Sequence, residues 1–222
     1  MGQSPEIIVD CPGCRRRAAF AARESLNVHE EPQLRQAVLD GSLFTYCCPA
    51  CGQRQELEYP FLYHNPDRHF MVWWLPEKPG APVYSEEELR RSARFITGYH
   101  LRIVSSFNRL REKIFILEAR LSDRAVEVLK HSIWSATLSE RGVALEQIYF
   151  AGASEENDSQ TVEFAVLYPN GNMRALRVSG SSGYARALER VQALKIPLHE
   201  STGWLKIDHT FAQQIKDAPP KE

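Results

Sequence analysis

The chain has 222 residues, of which 43% are hydrophobic, 25% charged and 10% aromatic, and its formal net charge at pH 7 is −1. This mixture can bury a core and excludes wholesale disorder, while near-neutral charge argues against nucleic-acid binding through bulk electrostatics. The longest apolar runs, such as 70–75 and 114–117, fall short of the roughly 20 residues of a membrane span, and residues 1–10 lack the basic and long apolar regions of a secretory signal, so a cytoplasmic protein is expected.

In chain order, residues 6–10 read as a short strand entering the turn Cys11-Pro12-Gly13-Cys14, and 17–22 as a second strand. Residues 31–40 look helical, with Pro32 suited to a first turn and Gly41 to a stop. Strands are expected at 43–47 and 53–59, flanking the turn Cys48-Pro49-Ala50-Cys51. The aromatic-rich stretch 60–76 contains a further strand at 69–75. The Pro/Gly segment 76–82 reads as a linker between a domain at 1–80 and another at 81–222.

Beyond it, Ser85 and Glu88 form a capping box that starts a helix at Glu86. Ile103, Phe107, Leu110, Ile114 and Leu117 recur at helical spacing, and Asp123 can cap a further helix over 125–138. Strands at 145–151, 162–168 and 172–178, with a polar loop at 155–159 and a hairpin signal at Pro169-Asn170-Gly171, form a small antiparallel sheet. A Ser/Gly turn at 179–183 leads to a helix ending near Lys195; 204–207 reads as a short strand and Asp208 as the cap of a last helix. The expected fold class is α+β: an N-terminal zinc ribbon with a helical insertion, a helical segment and the small antiparallel β-sheet.

The two Cys-Pro-x-Cys turns carry the chemistry. A two-residue gap lets both sulfurs of a pair face one ion, and two such turns supply the closed thiolate tetrahedron of a structural Zn2+ site, with Cys11, Cys14, Cys48 and Cys51 as ligands. Paired cysteines in a reducing compartment favour metal over disulfides. The spacer from Cys14 to Cys48 holds 33 residues (48 − 14 − 1), above the usual 15–20 or so; the helix at 31–40 accounts for the excess as an insertion. Four thiolates leave no open coordination position, so this metal organises the fold and does not catalyse. Cys47 stands beside Cys48 in an extended segment and points to the other side, as a bystander.

These turns, together with Ser25-Leu26-Asn27-Val28, residues 39–44 (LDGSLF), Tyr59-Pro60-Phe61-Leu62-Tyr63-His64 and residues 70–76 (FMVWWLP), resemble the bacterial and archaeal CpXC-domain family. Downstream, Arg102-Ile103-Val104 and residues 110–114 (LREKI) are similar to the family's helical part. The resemblance covers about residues 6–130 and implies a zinc-binding lobe with Cys11, Cys14, Cys48 and Cys51 as ligands; no activity comes with it. One departure is Arg15, where ribbon turns place glycine, as Gly52 does in the second turn. That position often requires positive φ, which is costly for arginine.

Outside the cysteines, His64, Asp67 and His69 bracket a turn between aromatic segments and could form a polar site, or simply face water. Arg15 to Arg17, and Arg90, Arg91, Arg94, Arg102, Arg109 and Arg111, form basic stretches, but interleaved glutamates make solvated helix faces with local ion pairs the simpler reading. The leading functional expectation is a non-enzymatic binding or scaffold protein with a protein partner, and the apolar helices within 103–134 offer a route to a homodimer. The alternatives are nucleic-acid binding, and an enzyme with its site near His64–His69.

Overall fold

The computed structural model describes residues 5–79, 83–156, 159–179, 183–194 and 203–217. Each cysteine turn is the tip of a short antiparallel hairpin. Strands β1 (Glu6–Asp10) and β2 (Arg17–Ala21) pair from Glu6 with Ala21 to Asp10 with Arg17. Strands β4 (Thr45–Cys47) and β5 (Arg54–Glu56) pair from Thr45 with Glu56 to Cys47 with Arg54. Between the hairpins the chain lays down β3 (Ser25–Asn27), a 3-10 turn at Pro32–Leu34 and helix α1 (Arg35–Asp40). The expected helix at 31–40 is thus a 3-10 turn running into α1.

Helix α1 ends at Gly41, with φ of 83°. Glycine is required there twice over: the left-handed backbone disfavours a side chain, and a Cβ would meet the Phe107 ring at 3.2–3.3 Å. Arg35 on α1 donates from Nε to both Glu118 oxygens (3.0 and 3.1 Å), and the Tyr63 hydroxyl donates to the same carboxylate at 2.9 Å. This ties α1 to a helix more than seventy residues later.

The central element is a four-stranded sheet in the order β3-β6-β7-β8, with β6 (Phe61–Asn65), β7 (Phe70–Trp74) and β8 (His100–Val104). β6 and β7 are antiparallel, while β3 and β8 flank them in parallel. Strict alternation buries Phe61, Tyr63, Phe70, Val72 and Trp74 on one face. Phe44 fills the space above it, edge-on to Phe61 and Trp74 at 4.9 and 5.1 Å.

Residues 100–104 depart from expectation. Ile103 continues the helical spacing of the next element but lies in β8. The helix starts later, at Phe107, because Ser106 caps it through the Arg109 amide (3.4 Å).

Helix α2 (Glu86–Ala93) begins with the expected Ser85–Glu88 capping box. Helix α3 (Phe107–Glu118) packs Leu110, Ile114 and Leu117 into the first core, which draws residues from Ala22 to Leu117. Ile116, on another face of α3, belongs to a second core with α4 (Asp123–Ile133). The cap of α4 is Ser122, bonded to the Ala125 amide, and Asp123 is the buried first residue of the helix. A π-helical turn, Trp134–Leu138, extends α4.

The second core is closed by an antiparallel sheet of β9 (Ile148–Glu156), β10 (Ser159–Leu167) and β11 (Met173–Val178), with β10 central, and by α5 (Tyr184–Ala193). The hairpin at 169–171 forms as expected, while strands reach into the region read as a polar loop at 155–159. Helix α6 (His209–Asp217) follows Asp208, which accepts from the Thr210 amide at 3.0 Å. The expected strand at 204–207 is a single parallel bridge from Leu205 to Arg102. Within 179–183 and the linker 76–82, residues 180–182 and 80–82 lie outside the described residues. The fold is α+β, and among the described residues no helix is long and apolar enough to cross a membrane.

Candidate metal centre

The hairpin tips meet. The sulfurs of Cys11, Cys14, Cys48 and Cys51 all lie within 4.8 Å of one another, with Cys11 to Cys51 at 3.5 Å and Cys14 to Cys48 at 3.7 Å. Sulfurs about 2.3 Å from a central ion stand ~3.8 Å apart at the corners of a tetrahedron, so the set is already spaced to hold a metal ion. Cys11 and Cys48 are buried, while Cys14 and Cys51 are exposed. A small apolar cluster of Val9, Cys11, Tyr46 and Cys48 backs the site.

The two turns are built alike. In each, the first cysteine's carbonyl accepts from an amide four residues on: Arg15 to Cys11 at 2.8 Å and Gly52 to Cys48 at 2.9 Å. Its own amide donates five residues on, to Arg16 (3.0 Å) and Gln53 (2.8 Å). This ring needs a left-handed residue at its corner, and both occupy that region, Gly52 at φ 74° and Arg15 at φ 59°. The departure seen in the sequence is therefore a strained arginine in an otherwise regular turn.

Turn amides also aim at sulfur. The backbone N–H groups of Ala50 and, to a lesser degree, Cys51 hold the Cys48 thiol well below its usual pKa against the opposing effect of burial. The Gln53 amide favours a Cys51 thiolate, but the sulfurs of Cys11 and Cys14 outweigh it and push Cys51 up. Four thiolates so close repel one another until a cation lies between them. Cys47 stays out of this group: it is exposed, and its Sγ lies 3.8 Å from the Gly52 carbonyl.

The CpXC protein family matches residues 9–130, more than half of the chain. The chain belongs to the CpXC family. No curated protein and no solved structure matches it. The CpXC region takes in both cysteine turns, the four-stranded sheet, α3 and most of α4; the β9–β11 sheet, α5 and α6 lie beyond it.

Among the other candidates, His64 and His69 both approach Tyr99. His64 Nε2 lies 3.4 Å from its hydroxyl, and the His69 ring is edge-on at 5.4 Å. Burial lowers the pKa of His64. Asp67 accepts from His29 Nδ1 at 3.1 Å and, with His69, lines a cleft that excludes His64. Arg90 and Arg91 on α2, and Arg94 just after it, are exposed.

Arg102, Arg109 and Glu112, by contrast, are not on solvated faces. They belong to a buried chain of charges between β8, α3, α4 and β9. Arg102 grips Asp123 through two bonds (2.6 and 3.0 Å), and Lys113 lies 3.5 Å from Asp123 and 3.0 Å from Glu127. Lys130 bridges Glu127 and Glu112, each at 2.9 Å, and Arg109 reaches Glu112 at 2.6 Å. The Phe150 amide also donates to Glu112 at 2.7 Å. Burial by itself would raise the carboxyl pKa values, but the surrounding cations win: Glu112 falls to about 2, and Asp123 is held well below the usual carboxylate range.

Proposed function

We propose that the protein is a non-enzymatic binding or scaffold module whose N-terminal hairpins form a zinc ribbon around one structural Zn2+, held by Cys11, Cys14, Cys48 and Cys51. The observation that carries this reading is the convergence of the four sulfurs at near-tetrahedral spacing. An all-cysteine set suits zinc or iron, and its closed shell suits organisation rather than chemistry. Metal analysis of protein purified in reducing buffer without chelator should find one zinc per chain. Much less than one, or iron with its visible absorbance, would overturn the zinc assignment.

The partner in this reading is a protein in a reducing, cytoplasmic setting, docking on the hairpin lobe, where Ile8 is 55% exposed. A homodimer through 103–134 would have to use the outer residues of α3 and α4, because their apolar positions are buried within the chain. Zinc-loaded and zinc-stripped protein should differ in partner capture from the native cell. Nucleic-acid binding is favoured only by Arg15 and Arg16, which are exposed beside the metal site with no carboxylate partner among the described residues. It requires affinity that falls steeply with salt.

A further inference from the structure

The turn between β6 and β7, the start of β8 and the turn between α3 and α4 enclose a cleft of about 310 Å3. Arg68 and His69 stand on one wall, His100 on a second, and Arg120 on the third. Neither Arg68 nor Arg120 has a carboxylate partner among the described residues. Two acids also reach the cleft, and both are already engaged: Asp67 with His29 (3.1 Å), Asp123 with Arg102 (2.6 and 3.0 Å) and Lys113 (3.5 Å).

The charge behind the cleft has the same sign. The buried network beneath Asp123 holds four cations, Arg102, Arg109, Lys113 and Lys130, against three carboxylates, Glu112, Asp123 and Glu127. Arg124, the next residue, is 4% exposed, and its Nε and Nη1 have no hydrogen-bond partner among the described residues. The Arg109 side chain is 14% exposed, so the buried excess comes from Arg124; its charge and the positive end of the α4 dipole both favour an anion in the cleft. Among the described residues three non-glycine residues take positive φ, and two of them, His69 (53°) and Arg120 (58°), line this cleft.

We propose that this cleft binds a tetrahedral oxyanion, the phosphate group of a small phosphorylated ligand, between Arg68 and Arg120. Two guanidinium groups from separate turns, with two imidazoles also in the lining, can donate to different oxygens of one tetrahedral group. The volume leaves room for a short organic remainder beside the phosphate.

The test is titration of the full chain at low salt with inorganic phosphate, glycerol phosphate, and acetate at matched ionic strength, followed by calorimetry and by the histidine ring resonances. Saturable binding of the two phosphates, with shifts at His69 and His100 and none with acetate, is expected. Tighter binding of the ester assigns an organic phosphate; equal binding assigns the free ion. Arg120→Gly should weaken phosphate binding about tenfold or more, the loss expected for a charged hydrogen bond. It should not lower the unfolding temperature, because glycine accepts the left-handed backbone. Arg68→Gln should weaken binding similarly. No saturation below about 10 mM, or wild-type binding by both variants, overturns the proposal.

Discussion

Glu112→Gln probes the buried charge network directly. Glu112 is 1% exposed and receives Lys130, Arg109 and the Phe150 amide within 2.9 Å. Glutamine keeps the shape and one acceptor oxygen for Phe150. It removes the charge and turns an N–H2 group toward donors. Lys130 retains Glu127 at 2.9 Å, and Arg109 retains the Glu146 carbonyl at 2.8 Å, so the cost falls at the low end of the 3–5 kcal/mol or so for breaking a buried pair. The depressed pKa of Glu112 points in the same direction. A carboxyl held at about 2 when folded, against 4.5 ordinarily, favours the folded state at neutral pH by about 3 kcal/mol. For a chain of this length that lowers the melting temperature by roughly 6–12 °C.

The sign is specific. Because the folded value is depressed, the stabilisation is complete above the unfolded value of 4.5 and is lost as pH falls toward 2. Urea denaturation of both proteins from pH 7 downward should therefore show a gap of about 3 kcal/mol that narrows in acid. A gap under about 1 kcal/mol at pH 7, or one that persists unchanged in acid, would refute the idea that Glu112 is held ionised by its cations.

Three further outcomes follow from other parts of the molecule. Arg15→Gly should stabilise the metal-loaded protein by about 1 kcal/mol, since glycine removes the left-handed penalty; its metal content should stay at the wild-type value, as measured by metal analysis beside a melting curve. Cys47→Ser should leave metal stoichiometry unchanged while Cys48→Ser lowers it, because only Cys48 of the two points into the sulfur cluster. Phe44→Ala should cost about 3–5 kcal/mol in denaturant unfolding, as it empties a site ringed by Phe61, Trp74 and Phe107.

The cysteine centre was legible in the sequence because its geometry is local. Two residues between cysteines dictate a turn, the turn dictates where amides and sulfurs point, and Arg15 is visibly out of place at its corner. What remained was only that the two turns meet, which the matching motifs themselves suggest. The start of α3 was not legible from periodicity, since Ile103 lies four residues before Phe107 and satisfies the helical spacing by coincidence. The adjacent serines were the available signal: Ser106 offers the cap.

The burial of the charge network is not legible in the sequence for a physical reason. Arg109 with Glu112, and Glu127 with Lys130, are three apart and look like the ion pairs of solvated helices. Nothing local distinguishes such pairs from buried ones; burial arises only when α3 and α4 turn those faces toward each other. A hint existed in composition around the helix. On α3, Leu110, Ile114, Ile116 and Leu117 leave few directions free for water, and on α4 the buried residues Asp123, Glu127 and Lys130 share one face at spacings of three and four. Charges confined to a helix with apolar residues on most sides have to find one another, because an unpaired ion there costs several kcal/mol. In the proposed oxyanion site, the cation left over after that pairing adds to the positive charge that Arg68 and Arg120 bring to the cleft beside Asp123.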